Sequence, residues 1–215
     1  MKLNRTNQSL ILNRIPPIGI LCFGLLYAFA STLYPGGSQA DVNSVGFDWV
    51  NNYWCNMMNE SADNGEPNPA RRLAIFSMVL LCSSLGVFFY QFAEYLTTHH
   101  RWKMIIKIAG ILSMVSAAFM FTQFHDVLTI ISSFFGLFVL IGILLEIFRR
   151  GLLKNKLIGL LCLILLGMNN YIYYTEFYIK HLPLIQKITF IIVLLWIVAL
   201  NFEVRREIKN QRPIL

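Results

Sequence analysis

The side chains with chemistry to offer are few, and they fall in the polar connections of a very apolar chain. His125-Asp126 sets an imidazole beside a carboxylate, the pairing of a general base with a group that orients it, and Asp48 is a second carboxylate that could serve the same ring. These three form the candidate catalytic set. Arg71-Arg72 brings two guanidinium groups together, a pattern suited to an anion such as phosphate. Asn52-Tyr53-Trp54 and Asn169-Asn170 combine amide groups with rings that have one apolar and one polar end. The candidate ligand-binding set is therefore Arg71, Arg72, Asn52, Tyr53, Trp54, Asn169 and Asn170. Cys22, Cys55, Cys82 and Cys162 show no metal-ligand or disulfide-framework spacing, so no metal and no cofactor is expected.

The elements that must position these residues follow from composition. Of 215 residues, 56% are hydrophobic and 13% are charged. A soluble domain carries about 25% charged residues to face water, so this chain faces lipid. The net charge of +7 is scattered in short clusters at the ends of apolar runs rather than gathered into one patch, which excludes a nucleic-acid partner.

A helix crossing a hydrocarbon core about 30 Å thick needs roughly 20 apolar residues. Six stretches qualify, at approximately 17–34, 72–96, 104–124, 127–148, 157–174 and 184–202. The expected fold is all-α, a single transmembrane domain over residues 1–215 built as a six-helix bundle. Fourteen of the 18 basic residues fall on one side of these spans, in the N-terminal segment, two short connections and the tail. Their excess marks that side as cytoplasmic and places both termini there. The one long connection, about 35–71, is acidic and lies outside. A multi-pass protein of the cell inner (cytoplasmic) membrane is the expectation. Ala28-Phe29-Ala30 resembles a signal-peptidase site, but the apolar run continues to Tyr34, longer than a signal core of roughly 7–15 residues.

Local expectations are specific. Gly46 to Cys55 suits a short amphipathic helix at the headgroup level, and Asn64-Gly65 marks a turn. Asn68 and Pro69 read as an N-cap and first helical residue, and Asp126 as the N-cap of the fourth span. Lys107, Glu94 and Glu146 lie near span ends, where long stems reach water. Arg71 and Arg72 oppose both the helix dipole and the charge rule, so an acid of the same loop or a lipid phosphate should compensate them.

Tyr34-Pro35-Gly36-Gly37 after the first span, the long loop with its Asn52-Tyr53-Trp54-Cys55 element, Asn68-Pro69 opening the second span and His125-Asp126 at the hairpin between the third and fourth spans together resemble an uncharacterised prokaryotic six-span membrane family, a domain of unknown function. The resemblance covers nearly the whole chain and implies six helices with a site on the outer face. Asn52-Tyr53-Trp54-Cys55 departs from the Ser-Asp/Glu-Leu-Gly element of that family.

The functional expectation is binding of a lipid headgroup or small amphiphile in an outer-face pocket between helix ends. The alternatives are a membrane-embedded enzyme using His125 with Asp126 or Asp48, and a structural or partner-binding subunit. Membrane lipids are the expected partners, and no particular protein partner is indicated.

Overall fold

The computed structural model describes residues 5–211. Lys2 and Arg212, counted above among the cytoplasmic basic residues, lie outside the described residues. The helices are α1 (Arg5–Leu12), α2 (Ile15–Ser31), α3 (Arg71–Leu96), α4 (His100–Ala118), α5 (His125–Arg150), α6 (Leu153–Thr175) and α7 (Leu182–Asn210), with one-turn 3-10 helices at Trp54–Met58 and Ile179–His181. Among the described residues the chain is all-α, and its only strand-like pairings are two isolated bridges.

Five helices have the length and apolarity to cross a membrane: α2 continued back through α1, then α3, α5, α6 and α7. That is the pattern of a multi-pass membrane protein. Helix α4 falls short of the same measure for a physical reason. Its first eight residues include Arg101, Lys103 and Lys107, and it stops at Ala118 rather than near residue 124, with 119–124 forming turns. Helix α6, by contrast, begins four residues before the expected span at 157–174 and runs 23 residues, enough to cross without help.

Helix α3 is the axis. Helices α2, α4 and α7 pack against it, α5 lies behind α4, and α6 behind α7. Water gives helices in lipid no reason to associate, so close backbone approach supplies the attraction. At Gly19 of α2 a Cβ would stand 1.8 Å from the Ser84 hydroxyl of α3, and at Gly110 of α4 it would stand 2.7 Å from Phe89 Cβ. Between α4 and α5, Ser113 and Ser132 each donate to the other's carbonyl, at 2.9 and 3.1 Å.

The α1–α2 break is held by a buried amide cluster. Asn13 donates to Gln91 of α3 and to Asn201 of α7 at 3.3 and 3.0 Å, and Asn201 returns a bond to the Asn13 carbonyl at 2.9 Å. The same end of the bundle carries the acids expected to reach water; Glu94 keeps 27% of its side chain exposed, whereas Glu146 does not reach it. Glu146 is fully buried, accepting from the Thr98 N–H (3.2 Å), the Thr98 hydroxyl (3.0 Å) and Arg149 (2.5 Å). Glu94 of α3 bridges both Lys103 and Lys107 of α4. Arg150 caps the end of α3 through the Leu96 carbonyl at 2.8 Å and reaches Glu207 of α7. Stem length alone predicts snorkelling, but each carboxylate here found donors nearer than water.

Candidate functional site

At the opposite end, residues 35–70 fold into a cap. Pro35 to Gly37 turn the chain out of α2, and Gly37 needs its glycine twice over: its φ is +82°, and a Cβ would meet the Asn64 backbone nitrogen at 2.3 Å. No amphipathic helix forms at 46–55; regular structure begins only at the Trp54–Met58 turn. Side chains have taken the backbone groups a helix would need. The Asp48 carboxylate accepts the Val50 and Asn51 N–H groups at 2.8 and 3.1 Å, and Asn52 Oδ1 accepts the Asp48 N–H at 2.7 Å. Burial works against the Asp48 anion, but the Asn51 side chain, these two N–H groups and the charge of Lys187 together hold its carboxyl below the usual range.

Asp63 is the hub of the cap. Its carboxylate accepts from Asn52 Nδ2 at 3.0 Å and from Asn56 Nδ2 at 2.7 and 2.6 Å, while its N–H donates to the Tyr34 hydroxyl at 2.9 Å. Asn68 ties the cap to α3. Its Nδ2 donates to the carbonyls of Asn56, Met57 and Asn59, and its Oδ1 takes the Ala70 N–H at 3.1 Å. The residue before the helix is Ala70 and no side chain caps α3, so Asn68 and Pro69 stand ahead of the helix instead of at its N-cap and first position, and Asn68 closes the turn that leads into it. Asn64-Gly65 forms the expected turn, with the Gly65 N–H on the Ala62 carbonyl.

The candidate ligand residues divide. Arg71 is bound to Glu60 at 3.1 Å and to the Met58 carbonyl at 3.2 Å, so the loop itself supplies the compensating anion. Arg72 is exposed, with no ion pair among the described residues. Asn52 is fully buried and its amide is consumed by Gly37, Asp48 and Asp63, which makes it framework. Trp54 lies in a ring cluster with Phe23, Tyr27, Trp49 and Phe190, and Tyr27 donates its hydroxyl to the Trp54 carbonyl. Tyr53 is half-buried, and burial pushes its hydroxyl above the usual range. Asn169 of α6 donates to Thr189 of α7 at 2.7 Å, whereas Asn170 is exposed and bonds only back to Leu166 among the described residues.

The candidate catalytic residues are not brought together. His125 Nδ1 lies 3.1 Å from Asp126 Oδ1 at the start of α5, where both are solvent-accessible. Neither has a hydrogen bond or ion pair to Asp48 or to the cap among the described residues. The residue preceding α5 is Phe124, and Asp126 stands inside the first turn rather than at the cap position. There it favours the dipole without closing an N–H.

Sequence reasoning missed the residue on which the cap rests. Lys187, in the second turn of α7, is 4% exposed. Its ammonium donates to the Asn52 carbonyl and, at 3.1 Å, to the Pro183 carbonyl, and it faces the Phe47 ring at 5.8 Å. Asp48 is within electrostatic reach but not within ion-pair distance. An ammonium has three donors, and two are used among the described residues. The available signal is a lysine near the start of an apolar helix, on the side of the spans that is poor in basic residues. Cys55 beside it is no nucleophile at neutral pH, because burial pushes its thiol up to about 11.

Fold and site together define a multi-pass, all-α membrane protein with a self-bonded cap seated on a buried cation. No family model matches the chain, and comparison with curated proteins and with solved structures yields no match.

Proposed function

We propose that the protein is a six-span protein of the cell inner (cytoplasmic) membrane, with both termini cytoplasmic and the 35–71 cap outside, and that it binds a lipid headgroup or small amphiphile under the cap. Helix α4 serves as the sixth span because Glu94 neutralises the two lysines that interrupt its apolar run. Lys187 carries the binding reading. A cation buried at 4% exposure without an ion-paired carboxylate is costly unless an anion completes it. It also takes over the role that the sequence assigned to Arg71, which is already paired. Arg72 is left as a surface contact for a second phosphate.

The test is the lipid that travels with the protein. Wild type, Lys187→Met and Lys187→Gln are purified in mild detergent and their bound lipids identified by mass spectrometry. Wild type is expected to carry one anionic amphiphile enriched about tenfold or more over its abundance in the membrane, an enrichment worth about 1.4 kcal/mol. Lys187→Met should lose it and Lys187→Gln retain it in part. Identical profiles in all three proteins, with the cap still folded, would remove the basis for the proposal.

A further inference from the structure

A cavity of about 500 Å³ opens at the end of the bundle opposite the cap, and no residue of the cap borders it. Its size lies within the range of about 300–1,000 Å³ common to small-molecule sites. The sequence builds its wall in a simple way. In the last two turns of α3, Tyr90 and Glu94 form one i, i+4 pair and Gln91 and Tyr95 form a second beside it. Residues four apart share a helix face, so four polar side chains point to one side. Gln8 and Ser9 of α1 and Gln211, just past α7, supply the rest of the polar wall.

Part of that wall is fixed and part is free. Gln91 is 1% exposed; its Oε1 accepts from Asn13 at 3.3 Å and its Nε2 donates to the Ser9 carbonyl at 2.9 Å. The Ser9 and Tyr95 hydroxyls share a hydrogen bond of 2.5 Å. These bonds set the floor before anything binds. The Gln8 and Gln211 amides and the Tyr90 hydroxyl, by contrast, have no hydrogen-bond partner among the described residues. The Tyr90 ring is steadied by the Lys107 ammonium, 4.5 Å from its centroid, and stays 45% exposed.

The chemistry of the wall selects the occupant. Amides and hydroxyls both donate and accept, so they suit a ligand whose own groups do both. Net charge of either sign is disfavoured. The Glu94 carboxylate borders the cavity and opposes an anion, while Lys103 and Lys107, both bound to Glu94, oppose a cation. We infer that the cavity takes an uncharged polyhydroxyl group of hexose size, a sugar ring held by the Gln8 and Gln211 amides and the Tyr90 hydroxyl over the floor of Gln91, Ser9 and Tyr95. The ring comes free from solution or as the headgroup of a glycolipid, for which exposed Ile11, Leu12 and Ile15 offer an apolar surface to the acyl chains. This site shares no residue with the one proposed beneath the cap.

The full chain is purified in a detergent without a sugar headgroup and followed by native mass spectrometry. The probes are short-chain glucosyl diacylglycerol, the same diacylglycerol without its sugar, phosphatidylglycerol, and methyl glucoside as the soluble arm. The glucolipid is expected to bind about tenfold more tightly than the bare diacylglycerol. Gln8→Ala, Gln211→Ala and Tyr90→Phe break no bond among the described residues, so the fold stays intact. Each should weaken sugar binding about two- to tenfold, the worth of one hydrogen bond. A glucolipid held more tightly than methyl glucoside would place the source in the membrane, and equal retention would place it in solution; both support the assignment. Glucolipid and bare diacylglycerol bound alike, or sugar binding untouched by all three variants, would overturn it. Phosphatidylglycerol retention should not change in these variants; its loss in them would mean that the cavity takes an anion, which also overturns the assignment. Sugar binding seen only in a chain ended at Gln211 would make the tail the occupant, with the same consequence.

Discussion

Asp63→Ala opens the cap and leaves the helices standing. The Asp63 carboxylate is the only acceptor for Asn56 Nδ2 among the described residues and one of two for Asn52 Nδ2, and these asparagines are 6% and 0% exposed. Removing it strands buried donors, at about 1–3 kcal/mol for each and more where the lost partner is charged. A destabilisation of about 3–5 kcal/mol is expected, comparable with everything that holds a small loop domain in one conformation. Asp63→Asn should lie between, since one of the two oxygens survives. The readout is chymotrypsin cleavage at the cap aromatics, Phe47 to Trp54, with helical circular dichroism as the control. Rapid cleavage with unchanged helix content is the expected result; wild-type resistance would show that the hub does not hold the cap.

Glu94→Ala should displace α4. Helix α4 is the one long helix whose apolar run is broken by several basic residues, and Glu94 is the only carboxylate within ion-pair distance of Lys103 and Lys107 among the described residues. The three side chains are about a quarter to a third exposed, at 27%, 31% and 22%. Removing one member of a fully buried pair costs about 3–5 kcal/mol, and partial exposure brings the expected loss to about 2–3 kcal/mol. Accessibility of a cysteine placed at Ile108 reports it. In Glu94→Ala that position should become reactive to a water-soluble thiol reagent, because α4 slides outward to hydrate its lysines. Additional substitution of both lysines by leucine should restore protection.

How far the sequence could be read depended on the range of the interaction. Helix positions were legible because twenty apolar residues in a row have no other comfortable state, and α3 and α5 fall within two residues of the expected ends. The end of α4 was not, since nothing in Phe119 to Phe124 marks the switch from helix to turn. Gly46 to Cys55 had the mix of aromatic anchors and polar groups of an interfacial helix, yet Asp48 and Asn52 satisfied the backbone first, a competition that composition does not reveal. Arg71 was legible as a charge needing an anion, and an acid of the same loop, Glu60, supplies it. Lys187 was not, because its importance depends on the cap returning over α7 across 135 residues of chain. Arg72 and His125 have no partner beyond their own segment among the described residues, so the pattern that singled them out stands without a structural reason.

Everything said of the site depends on which side of the membrane the cap faces. Val45 is 96% exposed in the cap, and Lys154 is exposed in the first turn of α6 at the other end. In a chain freed of its four native cysteines, Val45→Cys and Lys154→Cys are treated on intact cells with a membrane-impermeant maleimide. Labelling at position 45 without permeabilisation, and at position 154 only after it, is the result this topology requires. Labelling at 154 with protection at 45 would invert the protein in the membrane, and the proposed lipid site beneath the cap would be lost with it.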